Sequence, residues 1–269
     1  MLIAQISDLH IAGWGKKTFG VAPMANNLFQ CVEHINKLNP PPDLVLVTGD
    51  IANEKTKAEV EQAAAILSGL CYPYYVIPGN HDGRSSLLSI FDQQICPTES
   101  EEFIHYSIEG HDLRLIGMDT LIPDAAGGEI CDTRAAWLDK KLSEAATKPT
   151  ILFMHHPPLN FGVAETDIDG FIGAEKLGKI IEKHGNVVRI LSGHIHLPAF
   201  AQWHGTIVST APSIGMRLLL DLTLEIPSGF ILENPGYQLH YWTPDQNLVT
   251  HTIKVREGEK VYPFEDSLP

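Results

Sequence analysis

Five short motifs in this chain gather side chains that bind cations: Asp8-Leu9-His10, Gly49-Asp50, Gly79-Asn80-His81-Asp82, His155-His156-Pro157 and Gly193-His194-Ile195-His196. Six of the thirteen histidines fall inside them. Taken singly, each has an ordinary explanation. Asp-x-His after a strand is commonly a cap or a turn, and Gly-Asp is a common turn. Gly79-Asn80-His81-Asp82 carries more, because four polar or flexible residues after an apolar run are hard to justify by packing. His194 and His196 stand two apart, so in an extended segment both face one way. As a set, the motifs fit one shared centre better than five coincidences.

The donor types narrow that centre. Carboxylate, imidazole and amide oxygen without thiolate suit iron, manganese, zinc or cobalt rather than a structural zinc site. The donors are too many for one ion. Two ions about 3.5–4 Å apart need a bridging carboxylate, and Asp50 is the natural one. His156 has two readings, a hydrogen-bond donor behind the ligands or a structural histidine before the Pro157-Pro158 turn.

The elements that must position these residues are legible in the apolar pattern. Residues 2–7 and 43–48 are short apolar runs ending in polar residues, as buried strands do. Between them Leu28, Val32, Ile35 and Leu38 recur at helical spacing, and Pro40–Pro42 ends that helix. Thr56 with Glu59 predicts a capping box for a second helix. The strand Tyr74–Ile77 follows, then a helix from Arg84, strands near 103–109 and 112–118, and a helix over 133–145. Thr150–Met154 and Val187–Leu191 read as strands around a helix, Ala174–His184, stopped by Gly185. From 198 onward the pattern turns to strands: 199–204, 206–210, 229–233, 237–242 and 248–255. Each motif thus follows a strand, and the set gathers on one rim of a parallel sheet, where ligands bind in α/β folds. Gly49, Gly79 and Gly193 are expected to permit tight strand-end turns.

The order predicts an α/β sandwich with parallel strands at its core and helices outside, in one domain spanning 1–269. Segment 211–236 is read as a cap or a subunit contact within it. At 44% apolar and 19% charged residues the composition is that of an ordinary globular protein. The four scattered cysteines form no C-x-x-C pair, which points to free thiols in a reducing cytoplasm. The start MLIAQISDLH lacks a basic region and is not read as a signal peptide. The apolar stretch from Ile214 to Leu232 is broken by Arg217, Asp221, Glu225 and Pro227, so no membrane span is expected. A formal charge of -14 disfavours nucleic-acid polymers and anionic lipid as partners. Bound cations would reverse that sign locally.

The ordered motifs, complete from residue 8 to 196, resemble the calcineurin-like metallophosphoesterase superfamily. DLVLVTGDI at 43–51, YYVIPGNHD at 74–82, HHPP at 155–158 and GYQLHYW at 236–242 further resemble its bacterial branch of class III cyclic-nucleotide phosphodiesterases and glycerophosphodiesterases. The resemblance implies a four-layer α/β/β/α sandwich of two mixed sheets flanked by helices. It implies one metal on Asp8, His10 and His196, a second on Asn80, His155 and His194, and Asp50 between them. It also implies His81 as the non-ligand histidine that stabilises the transition state or protonates the leaving alkoxide, oriented by Asp82.

The function expected on this basis is hydrolysis of a small phosphodiester by metal-activated hydroxide, with a 3′,5′-cyclic nucleotide slightly preferred over a glycerophosphodiester. A phosphomonoesterase using the same centre and a non-catalytic metal-binding scaffold are the alternatives. Specificity is expected from loops Gly13–Met24 (with Lys16 and Lys17), Leu121–Cys131 and Asn160–Gly173. Asn80, His81 and Arg84 are candidates for substrate contact, and a homo-dimer or higher homo-oligomer is the expected assembly.

Overall fold

The structure, a computed structural model, describes residues 1–223, 225–256, 258, 260 and 262. The chain opens with β1 (Leu2–Ile6), α1 (Met24–Ile35), β2 (Leu44–Thr48), α2 (Lys57–Leu67), β3 (Tyr74–Ile77) and α3 (Arg84–Ile90). Next come β4 (Tyr106–Ile108), β5 (Arg114–Met118), β6 (Gly128–Glu129), α4 (Asp132–Glu144), β7 (Thr150–Met154), α5 (Ala164–Asp167) and β8 (Phe171–Ile172). Then follow α6 (Ala174–His184), β9 (Val187–Ser192), β10 (Ala199–Trp203) and β11 (Thr206–Thr210). β12 (Met216–Leu218), β13 (Phe230–Leu232), β14 (Gly236–Trp242) and β15 (Leu248–Lys254) close the order.

Two mixed sheets are stacked face to face. The first runs β15-β14-β1-β2-β3 and the second β10-β11-β9-β7-β5-β4. In the first, β1, β2 and β3 are parallel and β14 joins β1 antiparallel. In the second, β5, β7, β9 and β11 are parallel. Side chains on alternate strand positions point to opposite faces, and β7 shows the consequence. Ile151 and Phe153 enter the core shared between the sheets, while Leu152 and Met154 pack outward with Leu138, Leu142, Leu177 and Ile181 of α4 and α6. The first sheet is covered by α1, α2 and α3, whose Leu28, Val60 and Leu87 belong to the same continuous buried cluster. Four layers result, as expected from the resemblance.

The capping box at Thr56 and Glu59 forms as the sequence predicts, and Gly185 ends α6 at φ 62°. Helix α1, by contrast, stops at Ile35, five residues short of Pro40. Lys37 and Leu38 donate to the carbonyls of His34 and Ile35 instead, so a tightened turn carries Leu38 on to the core. One expectation needs recasting. The five motifs do not share a single sheet: three follow strands of the first sheet and two follow strands of the second. Stacking brings both sets of carboxyl ends to one rim.

Candidate metal centre

The loops after β1, β2 and β9 leave their strands abruptly. Asp8, His10, Asp50, His194 and His196 all adopt positive φ, between 43° and 70°. They are five of the ten such non-glycine residues described. That region costs about 1–3 kcal/mol where held and collects at functional sites, with Asp and His better suited to it than bulky residues. The turned backbone is fixed by cross-loop bonds. His10 N donates to Asp50 O at 2.8 Å, Asp8 N to Gly49 O at 3.1 Å and Gly193 N to His155 O at 2.9 Å. His194 N donates to Asp8 Oδ1 at 2.9 Å, tying the second sheet's rim to the first.

The side chains then converge in two groups. In the first, His10 Nε2 and His196 Nε2 stand 3.0 Å apart. Asp50 Oδ2 lies 3.5 Å from the former and Asp8 Oδ1 3.5 Å from the latter. In the second, Asn80 Oδ1 lies 3.2 Å from both His155 Nε2 and His194 Nδ1. Asp50 Oδ2 is 3.3 Å from His155 Nε2, so one carboxylate oxygen faces both groups. All seven residues are buried. Two ring orientations are locked from behind, His155 Nδ1 donating to Thr48 O and His196 Nδ1 to Met216 O, both at 2.7 Å. This leaves their Nε2 atoms aimed inward. Asp8 Oδ2 and His10 Nδ1 are buried without a hydrogen-bond partner, a costly state for polar atoms. Nitrogen and oxygen donors so crowded, with an orphaned carboxylate oxygen among them, fit cations.

The family pattern of calcineurin-like phosphoesterases matches residues 1–198. This chain belongs to that family. It is 36% identical over 265 residues to a probable glycerophosphodiester phosphodiesterase GpdQ of Arcobacter nitrofigilis, covering 98% of this chain and 97% of that protein. It is 28% identical over 213 residues to the 3′,5′-cyclic adenosine monophosphate phosphodiesterase CpdA of Escherichia coli, covering 78% and 75%. A dimetal phosphatase from Danio rerio shares the fold, with a TM-score of 0.65 at 16% identity over 95% of this chain and 99% of that one.

In this phosphoesterase burial and neighbouring charge set the protonation of the cluster. Burial pulls His194 down to about 3 and His10 well below the ordinary imidazole range, keeping both rings neutral with the lone pair a cation needs. Burial would raise Asp50, but His155, His10 and His81 outweigh it and hold the carboxyl well below its usual range. Burial opposes the charged form of His155, yet Asp50 and Asp8 overcome it and lift that ring to about 9. The phosphoesterase thus keeps the Asp50 carboxylate ionised.

Four residues hold positions that the sequence does not reveal. Asp82 does not orient His81. Its carboxylate accepts from the backbone N–H groups of Ile51, Ala52 and Gly79 at 2.9–3.1 Å, clamping the loop that carries Asp50. His81 Nδ1 instead bonds Asn53 O at 2.7 Å, and its backbone N–H donates to Asp50 Oδ1 at 2.8 Å. His156 packs 4.7 Å from the His194 ring, but Thr120 Oγ1 and Ala126 O occupy its two nitrogens, so it braces the cluster and offers no free donor atom. Arg84 is engaged with Asp119, at 2.5 and 2.9 Å, and with Leu121 O at 2.7 Å. It lies outside the cavity above the cluster. Asn53, Thr48 and Ala126 act through backbone carbonyls, which leave no signal in side-chain chemistry.

The glycines also act differently than expected. Gly49 takes φ 90° as a tight turn requires, whereas Gly79 and Gly193 are needed for close approach. A Cβ on Gly79 would sit 2.2 Å from Asp50 Oδ1, and one on Gly193 2.0 Å from Ser7 Oγ.

The cluster opens into a cavity of about 440 Å³. His10, Asp50, Asn80, His81, His194 and His196 line one part of it. Each of the three loops expected to set specificity contributes: Phe19 from the first, Ala126 from the second, and Glu165, Thr166 and Asp169 from the third. Lys16 and Lys17 are not in the lining. Met216, Leu218, Ser228 and Phe230 bring segment 211–236 into the wall.

Proposed function

We propose that this phosphoesterase hydrolyses small phosphodiesters, with glycerophosphodiesters as the substrate class and cyclic nucleotides as the second reading. The observation that carries it is Asp50 Oδ2 standing 3.5 Å from His10 Nε2 and 3.3 Å from His155 Nε2 at the floor of an open cavity. Asp8, His10 and His196 would hold one cation, Asn80, His155 and His194 the other, with Asp50 shared. The N/O donor set favours iron, manganese, zinc or cobalt. Bound there, two cations would supply charge at the phosphoryl oxygens and would lower the pKa of a coordinated water from ~15.7 toward ~7. His81, with Nδ1 committed to Asn53 O, directs Nε2 at the substrate and in its protonated form donates to the leaving alkoxide. Asn80 orients the ester beside it. The similarity to the Arcobacter protein along nearly the whole chain moves the preference toward glycerophosphodiesters, while the Escherichia coli relative supports the cyclic nucleotide.

The test is a turnover profile of the manganese-loaded protein on a glycerophosphodiester, cyclic AMP, bis(4-nitrophenyl) phosphate and 4-nitrophenyl phosphate. Diesters should turn over faster than the monoester. Faster cleavage of the monoester favours the phosphomonoesterase reading, and no turnover with metals bound favours the scaffold. We place the protein in the cytoplasm, in line with four free cysteines. Segment 211–236 would serve as a cap over the cavity, supported by Met216, Leu218 and Phe230 in its wall, or as a contact in a homo-oligomer, supported by exposed Leu220, Leu222, Ile226 and Leu232.

A further inference from the structure

A phosphate ester entering this cavity meets two unlike regions. At the floor stand the imidazoles and carboxylates of the cluster. Elsewhere the lining carries Glu165 and Asp169 together with Phe19 and Phe230. No lysine or arginine lines the cavity, and neither carboxylate forms an ion pair among the described residues. Glu165 accepts a hydrogen bond from Ser228 Oγ, which fixes it in the wall. Partial burial first, and the nearby Glu165 after it, lift Asp169 above its usual range. The Phe19 and Phe230 rings pack 5.5 Å apart at 38°, and Phe19 is 59% exposed. Carboxylates and aromatic faces together suit an ammonium group, which gains from both. An anionic substituent would be repelled there, and a neutral one would gain neither attraction.

We propose that Glu165 and Asp169, with the Phe19–Phe230 pair, form a subsite that selects phosphodiesters whose second substituent carries an ammonium group. The cluster takes the phosphoryl group, and the cationic substituent extends toward the acidic and aromatic wall. The selectivity rests on the diester reading above and adds a charge criterion to it.

The experiment compares two chromogenic diesters of equal shape on the manganese-loaded full chain. One is 4-nitrophenyl phosphorylcholine. The other is 4-nitrophenyl 3,3-dimethylbutyl phosphate, in which carbon replaces the charged nitrogen. At low ionic strength kcat/KM should favour the choline ester by about tenfold, and the ratio should shrink as KCl rises to about 0.3 M. In Glu165→Gln/Asp169→Asn the ratio should approach one. Asp169→Asn alone, at an exposed position outside the Ser228 contact, should lower it part of the way. A wild-type ratio near one overturns the proposal, as does a high ratio that survives both variants. Hydrolysis of the neutral ester keeps the diester reading in place in either case. Failure to cleave either ester with metals bound removes that reading and this proposal with it.

Discussion

Asp50 is the residue on which the centre turns, because one of its oxygens faces both donor groups. Asp50→Ala should therefore leave fewer than two tightly bound metals per chain, measured by elemental analysis after gel filtration. Two retained ions would refute the shared role. His81 and Asp82 are sequence neighbours with separable duties. His81→Ala should lower kcat by ~10²–10⁴-fold, the usual worth of a general acid, with metal content unchanged. Asp82→Asn should weaken metal binding by ~10–100-fold, as loss of a group behind the ligands does, because its carboxylate holds the backbone of Ile51 and Ala52. If Asp82→Asn kept its metals and lost only kcat, the carboxylate would be serving His81 after all. The family resemblance implies a role for both residues. The sequence could not assign the partner of His81, because that partner is the carbonyl of Asn53 and every residue type has one.

Strands and helices bring the donors to the rim, and their agreement with the sequence varies with length. β3, β7 and α6 fall on the residues that their apolar patterns predict, since each buries a continuous run or a clear helical face. β6, β8, α5 and β12 span two to four residues and are invisible to periodicity, which needs more positions to establish a period. Tertiary contacts alone create them. The close approach of two strand ends is equally non-local. Gly193→Ala puts a methyl 2.0 Å from Ser7 Oγ and 2.7 Å from Asp8 Oδ2, so either the loop or the Asp8 carboxylate that His194 N caps must shift with the Ser7 hydroxyl. Metal affinity measured by competition with a chelator should fall by at least ~10-fold, while far-UV circular dichroism stays native. Unchanged affinity would mean that the two rims tolerate separation.

Across the whole molecule, the two sheets enclose a polar layer beneath the metal centre. Gln5 Nε2 donates to Thr48 Oγ1 and Ser192 O, and His240 Nε2–H donates to Gln5 Oε1 at 2.9 Å. Thr250 bonds the other nitrogen of that ring at 2.9 Å, completing the set a neutral imidazole can make. Burial, with a smaller contribution from Arg189, holds His240 down to about 3. Its unfolded value is ~6.5, so between these limits the unfolded chain binds a proton that the native ring refuses. The contribution to stability is complete above about pH 6.5 and is lost as pH falls toward 3, at up to ~1.4 kcal/mol per pH unit. His240→Gln should thus lose about 2 kcal/mol less stability than the wild type between pH 7 and pH 5, read from urea denaturation at equal metal occupancy. Parallel losses would show that the ring protonates in the native state.

The sequence by itself determined the donor types, their place at the ends of five strands and the layered α/β class, because side-chain chemistry and apolar period are local properties of a chain. Tertiary structure decided which donors face Asp50, that Asp82 clamps a loop, that His156 braces its neighbours and that Glu165 and Asp169 share a cavity with the cluster. Those outcomes depend on backbone carbonyls and on the stacking of two sheets, and neither is written in the identity of any residue.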